Sequence, residues 1–309
     1  MNWKGPVDLN NPNVEVVVLE HWHPITAKLI HVYVGRLISE GNSTLVNAYD
    51  NSKRTYLGIT TMDAELSLIS ANIALARPGT LICDPFVGTG AFLFSASNFG
   101  AYSFGCDIDG RQMRGKDGKG IEANVAQYNL ESTVLGCFVT DMAHHPWAKR
   151  RFLDAIICDP PYGVRAGAKK IGKTEATTRK QQKKVARSTT HNYPLTQPYE
   201  IDQVLHDLVT FAAQHLIPKG RLVYWLPVAN EILESITDPL AVENPEIRLQ
   251  RVIPQHENMR LVSVSTQLFG KWQRLLVCQE YVEEMVDSNH HQAGISLNTF
   301  RDLYFAPSE

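Results

Sequence analysis

The chain has 309 residues, 44% of them apolar, and a formal net charge of −2, so it can hold one large or two small domains with a sizeable core. No apolar run approaches the ~20 residues of a bilayer span, and Met1-Asn2-Trp3-Lys4-Gly5-Pro6 lacks the basic and apolar regions of a signal peptide; a cytoplasmic or nuclear setting is expected. Five cysteines without a Cys-x-x-Cys pair argue against a disulfide framework and against a zinc site.

Residues 1–59 carry short β-like runs at 14–19, 29–37 and 55–59, separated by turn-rich segments, and predict an antiparallel β-rich appendage. Thr60-x-x-Asp63 fits a capping box opening a helix over 62–76. Strands are then predicted at 80–83, 102–106, 134–140, 153–158 and 221–227, with helices at 90–99, 121–129 and 201–216. This alternation predicts an α/β domain over 60–285, a mostly parallel sheet flanked by helices. Runs at 248–253, 260–269 and 274–281 read as β, consistent with a closing hairpin, and 286–309 as a weakly ordered tail. A basic insert spans 163–198: nine Lys or Arg against one acid lie between 163 and 190. It reads as a solvated loop or as a flap for nucleic-acid phosphates, with Lys180, Lys183 and Lys184 the candidates.

Chemistry concentrates where predicted strands end. Asp84-Pro85-Phe86-Val87-Gly88-Thr89-Gly90 follows the first strand of the α/β domain and opens a helix. Its glycines remove Cβ atoms where a ligand must approach, and a helix start favours an anionic group. Leu93 replaces the last small residue of the dinucleotide fingerprint, and a phosphate loop would need Gly-Lys-Ser/Thr. A nucleoside without phosphates, S-adenosylmethionine, fits this turn better. Asp107 ends the next strand, where a carboxylate can accept from ribose hydroxyls. Asp141, followed by Met142, is placed either to accept from an adenine amine or simply to cap a turn.

Asp159-Pro160-Pro161-Tyr162 follows the apolar run Ala155-Ile156-Ile157-Cys158. Two prolines stiffen the turn and leave carbonyls free to accept, and the Tyr offers a stacking face. A carboxylate, a carbonyl and an aromatic plate together can hold a planar amine. His144 and His145 lack a third ligand at sensible spacing, so packing or surface roles are expected and no metal is assigned.

This ordered set resembles the class I S-adenosylmethionine-dependent methyltransferases that act on amines. Further segments resemble, more narrowly, the tRNA guanine-N2-methyltransferase family acting on guanosine 10: Gly5-Pro6-Val7-Asp8-Leu9, Val34-Gly35-Arg36, Thr60-Thr61-Met62-Asp63-Ala64-Glu65, Gly105-Cys106-Asp107-Ile108-Asp109 and Asp159-Pro160-Pro161-Tyr162-Gly163-Val164-Arg165. The resemblance implies a Rossmann-like seven-stranded sheet and S-adenosylmethionine held by Asp84, Phe86, Gly88, Thr89, Gly90, Asp107, Asp141 and Met142. It implies catalysis by Asp159, Pro160 and Tyr162, with Pro161 and Arg165 near the substrate nucleotide. It also implies tRNA as a partner, captured with a THUMP RNA-binding domain in a longer chain or supplied otherwise, and a small zinc-binding activator subunit. An amine in ribosomal RNA or DNA, or a non-catalytic RNA-binding role, are the alternatives this reading leaves.

Overall fold

The computed structural model describes residues 6–163, 168–172, 196–283 and 295–305. In the first of its two units, Met1–Asn47, β1 (Val16–Trp22) pairs antiparallel with β2 (Leu29–Arg36), Val18 opposite Val34 and Glu20 opposite Val32. His23 closes the turn: its Nδ1 accepts the backbone N–H of Ile25 and of Thr26 at 3.3 and 3.2 Å.

The second unit, Ala48–Glu309, contains β3 (Leu81–Asp84), β4 (Tyr102–Asp107), β5 (Val134–Val139), β6 (Leu153–Cys158), β7 (Lys169–Ile171), β8 (Thr196–Pro198), β9 (Leu216–Ala229), β10 (Met259–Leu268) and β11 (Trp272–Tyr281). Seven of them form one sheet in the order β10-β11-β9-β6-β3-β4-β5. Its members β9, β6, β3, β4 and β5 run parallel, while β11 and β10 close it as an antiparallel hairpin. The expected mostly parallel seven-stranded sheet is present.

Period-two alternation sends successive side chains to opposite faces. Ile156 and Cys158 of β6 join Leu222, Tyr224 and Leu226 of β9 on one face, against Val204, Leu208, Phe211 and Ala212 of the helix Ile201–His215. Ala155 and Ile157 join Val223 and Trp225 on the other, against the helices Ala64–Ile73 and Ala91–Asn98. With both faces covered, the parallel strands read as continuous apolar runs.

Four local expectations change. The first helix of this unit is capped by Asp63, whose carboxylate accepts from Glu65 N and Leu66 N, and not by Thr60. Residues 55–59 form no strand, because Asn124 and Gln127 side chains take their backbone groups: Tyr56 N donates to Asn124 Oδ1 at 2.9 Å and Thr55 N to Gln127 Oε1 at 2.8 Å. Asn244 accepts from Glu246 N and Pro245 follows it, so a helix, Pro245–Gln250, takes the first half of the β-run expected at 248–253. Within the expected tail, Leu297 and Phe300 are each only 1% exposed. Asp202 secures that segment by accepting from Leu297 N and Ser296 Oγ at 2.8 and 2.6 Å, and the helix Phe300–Phe305 follows.

The parallel order fixes the site. The residues at or just after the carboxyl ends of β6, β3, β4 and β5 are Asp159, Asp84, Asp107 and Asp141, side by side along one edge. That edge is where open α/β sheets bind ligands.

Candidate active site

Asp84 is 1% exposed. One carboxylate oxygen accepts from Phe86 N at 3.0 Å, and Oδ2 is buried with no partner among the described residues. Burial pushes its carboxyl well above the usual range, and the charges of Asp107 and Asp159 add to that. A buried acceptor left unpaired is costly, so this oxygen suits a cationic donor such as an amino group.

The glycine turn beside it divides its labour. Gly88 has φ +49° and Gly90 φ +87°, both in the left-handed region. Among the described residues, a Cβ on Gly88 would meet only Phe86 O, at 3.9 Å, whereas one on Gly90 would come within 2.9 Å of the Phe94 ring. Gly88 thus leaves room for a ligand, and Gly90 lets the following helix pack. Both had been expected to serve ligand approach. Asp107 braces this turn: Oδ2 accepts from Gly88 N at 3.0 Å and Oδ1 from Asp109 N at 2.8 Å. Burial raises its carboxyl, and these backbone bonds oppose the rise. Asp109 instead caps the helix Gly110–Arg114 and pairs with Arg111 at 2.6 Å. Thr89 is buried and shares a 2.9 Å hydrogen bond with Thr61, which also accepts from Gly58 N. The segment around Thr61 therefore seats on the glycine turn.

Asp141 does what a cap does. Oδ1 accepts from Ala143 N at 3.0 Å; Oδ2 meets His144 Nδ1 and accepts Ile171 N, both at 2.7 Å. It thereby ties the end of β5 to the β7–β8 pair, which lies within the basic insert. Met142 is 3% exposed and packs in the core, and Phe86 lies against the same cluster. His145 stacks on Trp147 and meets Phe211 and His215 edge-on. Among the described residues no three His, Cys, Asp or Glu gather as a metal site.

At the end of β6, the Tyr162 hydroxyl donates to Asp159 Oδ1. Burial pushes the Asp159 carboxyl up to about 6, against the opposing pull of that bond and of the Arg274 guanidinium. Burial and the Asp159 charge hold the Tyr162 phenol well above its ordinary value, while the Arg274 guanidinium opposes the rise. Pro160 is buried and Pro161 half-buried. Among the described residues no backbone N–H donates to Pro160 O. The Tyr162 ring meets Phe300 edge-on at 6.4 Å, and Phe300 meets Trp272 at 5.7 Å. Arg165, Lys180, Lys183 and Lys184 lie outside the described residues.

Arg274 and Phe300 were missed in the sequence. The signal for Arg274 was topological: a last strand running antiparallel enters the sheet at the carboxyl edge, so its first residues flank the site. Trp272 opposes Ala229 and Arg274 opposes Pro227 for that reason. Phe300 carried no such signal.

Residues 51–197 match the family profile of the RMKL-like methyltransferase domain, UPF0020. The tRNA (guanine(10)-N(2))-methyltransferase of Schizosaccharomyces pombe is 39% identical over 99% of this chain, which spans 62% of that protein's length. Its namesake in Saccharomyces cerevisiae is 33% identical over 99% of this chain and 70% of its own length. Among solved structures, TrmN from Thermus thermophilus aligns with a TM-score of 0.46 at 17% identity, over 90% of this chain and 62% of that one.

Proposed function

The chain belongs to the tRNA (guanine(10)-N(2))-methyltransferase family, and on that premise we propose that it methylates the exocyclic N2 of a guanosine in tRNA, position 10 by family. The observation that carries this reading is the half-buried Asp159 carboxylate beside Asp84, an amine acceptor next to a cationic-donor acceptor on one sheet edge. S-adenosylmethionine, when bound, supplies an electrophilic methyl on a sulfonium. The residues fit that donor: the unpaired Asp84 Oδ2 would take its ammonium, the open space at Gly88 its close approach, and the Asp107 carboxylate its ribose hydroxyls.

On the substrate side, guanine N2 is a weak nucleophile because its lone pair is delocalised into the ring. Asp159 and Pro160 O would accept its two hydrogens, favouring a pyramidal nitrogen and fixing its direction. Positioning of this kind contributes several kcal/mol to lowering a barrier. Once the carbon–nitrogen bond has formed, N2 sheds a proton, and a carboxylate titrating at about 6 can accept it. Tyr162 would stack on the base, which must first leave its helix at a cost of about a few kcal/mol. The insert over 163–198 would meet tRNA phosphates.

The small zinc-binding activator subunit that the resemblance implies would dock along β5. β5 is a sheet edge, and its Leu135, Phe138 and Val139 are 57%, 52% and 59% exposed; such an edge accepts a partner strand. The deciding experiment transfers tritiated methyl to purified tRNA, ribosomal RNA and DNA, with and without that subunit, followed by nucleoside analysis. N2-methylguanosine from tRNA is expected. Label confined to ribosomal RNA or DNA would overturn the substrate, and failure to bind S-adenosylmethionine would overturn the enzyme.

A further inference from the structure

A run of ring contacts leads outward from the turn after β6. Tyr162 meets Phe300 at 6.4 Å, Phe300 meets Trp272 at 5.7 Å, and Trp272 stacks on Phe269 at 4.4 Å with the planes 9° apart. Phe269 stands at the tip of the β10–β11 hairpin. Cys158 pairs with Tyr224 of β9, and Trp272 pairs with Ala229 further along that strand. The tip therefore rises above the carboxyl edge on which Asp159 sits.

This tip is both fixed and apolar. Phe269 N donates to Trp272 O at 2.9 Å, and Gly270, with φ +72°, makes the turn. Asn230, just past β9, staples it: the Asn230 N–H donates to Lys271 O at 3.0 Å and Nδ2 to Gly270 O at 2.6 Å. Leu268 is nevertheless 76% and Phe269 41% exposed. A loose loop could fold such side chains away from water, whereas this turn holds them out. Beside them the Arg274 guanidinium lies 5.6 Å from the Phe269 ring and 4.4 Å from the Trp225 ring, and it donates to Gln267 Oε1 at 2.7 Å. An exposed aromatic ring flanked by a fixed cation suits a nucleobase and its phosphate. Continuity decides for a base over a protein partner: the run of rings begins at Tyr162, and a strand leaving a base stacked there passes the tip.

We propose that Phe269 is a second base-binding site, a platform for an unpaired nucleobase next to the target guanosine in the RNA strand. The proposal rests on the function proposed above for the identity of the first base. Two bases held apart, one at Tyr162 and one at Phe269, keep the opened strand from restacking. Every base has a π-face, so the platform recognises an open strand and tolerates any sequence.

That tolerance permits a photoreactive base as the probe. The test places 5-iodouridine beside the target guanosine in a tRNA transcript and beside a guanosine in a single-stranded oligonucleotide, and maps the crosslinks by mass spectrometry. With the full chain, crosslinking at Phe269 is expected from both RNAs, lost in Phe269→Ala and kept in Phe269→Trp. In methyl transfer, Phe269→Ala should raise KM for tRNA about fivefold or more, with less effect on kcat and none on S-adenosylmethionine affinity, and Phe269→Trp should restore KM. Crosslinks from the oligonucleotide that miss the tip, a KM unmoved in Phe269→Ala, or a Trp variant no better than Ala would overturn the proposal. So would an Ala variant whose melting temperature and cofactor affinity fall together, which would leave the ring a packing role alone. An Ala variant unchanged towards RNA but no longer responsive to a protein subunit would make the tip a protein-docking surface and overturn it too. If the wild type methylates no RNA yet crosslinks to the oligonucleotide at Phe269, the proposed function fails and the platform stands.

Discussion

Between Asp84 and Asp109 the proposed cofactor half is assembled from one contiguous strand–turn–helix–strand segment, and backbone groups make its bonds: Phe86 N to Asp84, Gly88 N and Asp109 N to Asp107. The proposed amine half draws on three distant segments. Asp159 and Tyr162 come from the turn after β6, Arg274 from β11, and Phe300 from beyond the sheet. A site made of neighbours in sequence is rigid because its own turn is rigid. A site made of distant side chains is only as precise as the packing that delivers them.

The hardest test of this contrast is Asp159→Ala. With the acceptor gone, kcat for methyl transfer should fall by about a thousandfold or more, while calorimetry should show S-adenosylmethionine binding as in the wild type. Equal losses in both would mean that the two halves are not separable. Phe300→Ala comes next, at a position sequence reading placed in a loose tail. The residue is 1% exposed and edge-on to Tyr162, so denaturant titration should show a loss of about 3–5 kcal/mol. At temperatures where the variant stays folded, kcat should drop about tenfold, and cofactor affinity should hold.

The same contrast explains what the sequence disclosed. The Asp84–Gly90 turn and Asp107 were legible because the strand, the glycines and the acid follow one another, so that local chemistry fixes local geometry. The parallel strands were legible because burial on both faces leaves runs such as Ala155-Ile156-Ile157-Cys158. Residues 55–59 were not legible, since apolar alternation there competes with Asn124 and Gln127 side chains supplied from a helix. Arg274 and Phe300 were hidden because their neighbours are set by the closing hairpin and by the Asp202 contacts to Ser296 and Leu297. No local signal records such pairings.

Asp84→Asn should split its effects by sign. The unpaired, buried Oδ2 is a cost to the free protein, so neutralising it should raise the melting temperature without cofactor. It should also weaken S-adenosylmethionine binding by roughly tenfold to a hundredfold, the worth of a hydrogen bond to a charged group. A variant that binds as well as the wild type would remove Asp84 from the cofactor half.

The finest test lies within the glycine turn itself, where two alanine substitutions should behave differently. Both positions have positive φ, so each variant should lose about 1–3 kcal/mol of stability from backbone strain. Gly90→Ala adds a Cβ within 2.9 Å of the Phe94 ring, so its loss should be the larger and should show in thermal melting. Gly88→Ala adds a methyl to open space, with no atom of the described residues nearer than Phe86 O. Its excess effect should appear only on titrating S-adenosylmethionine, as weaker binding than the loss of stability accounts for. If instead Gly90→Ala weakens cofactor binding more than Gly88→Ala does at temperatures where both are folded, the ligand approaches at Gly90, and the division of labour within the turn is reversed.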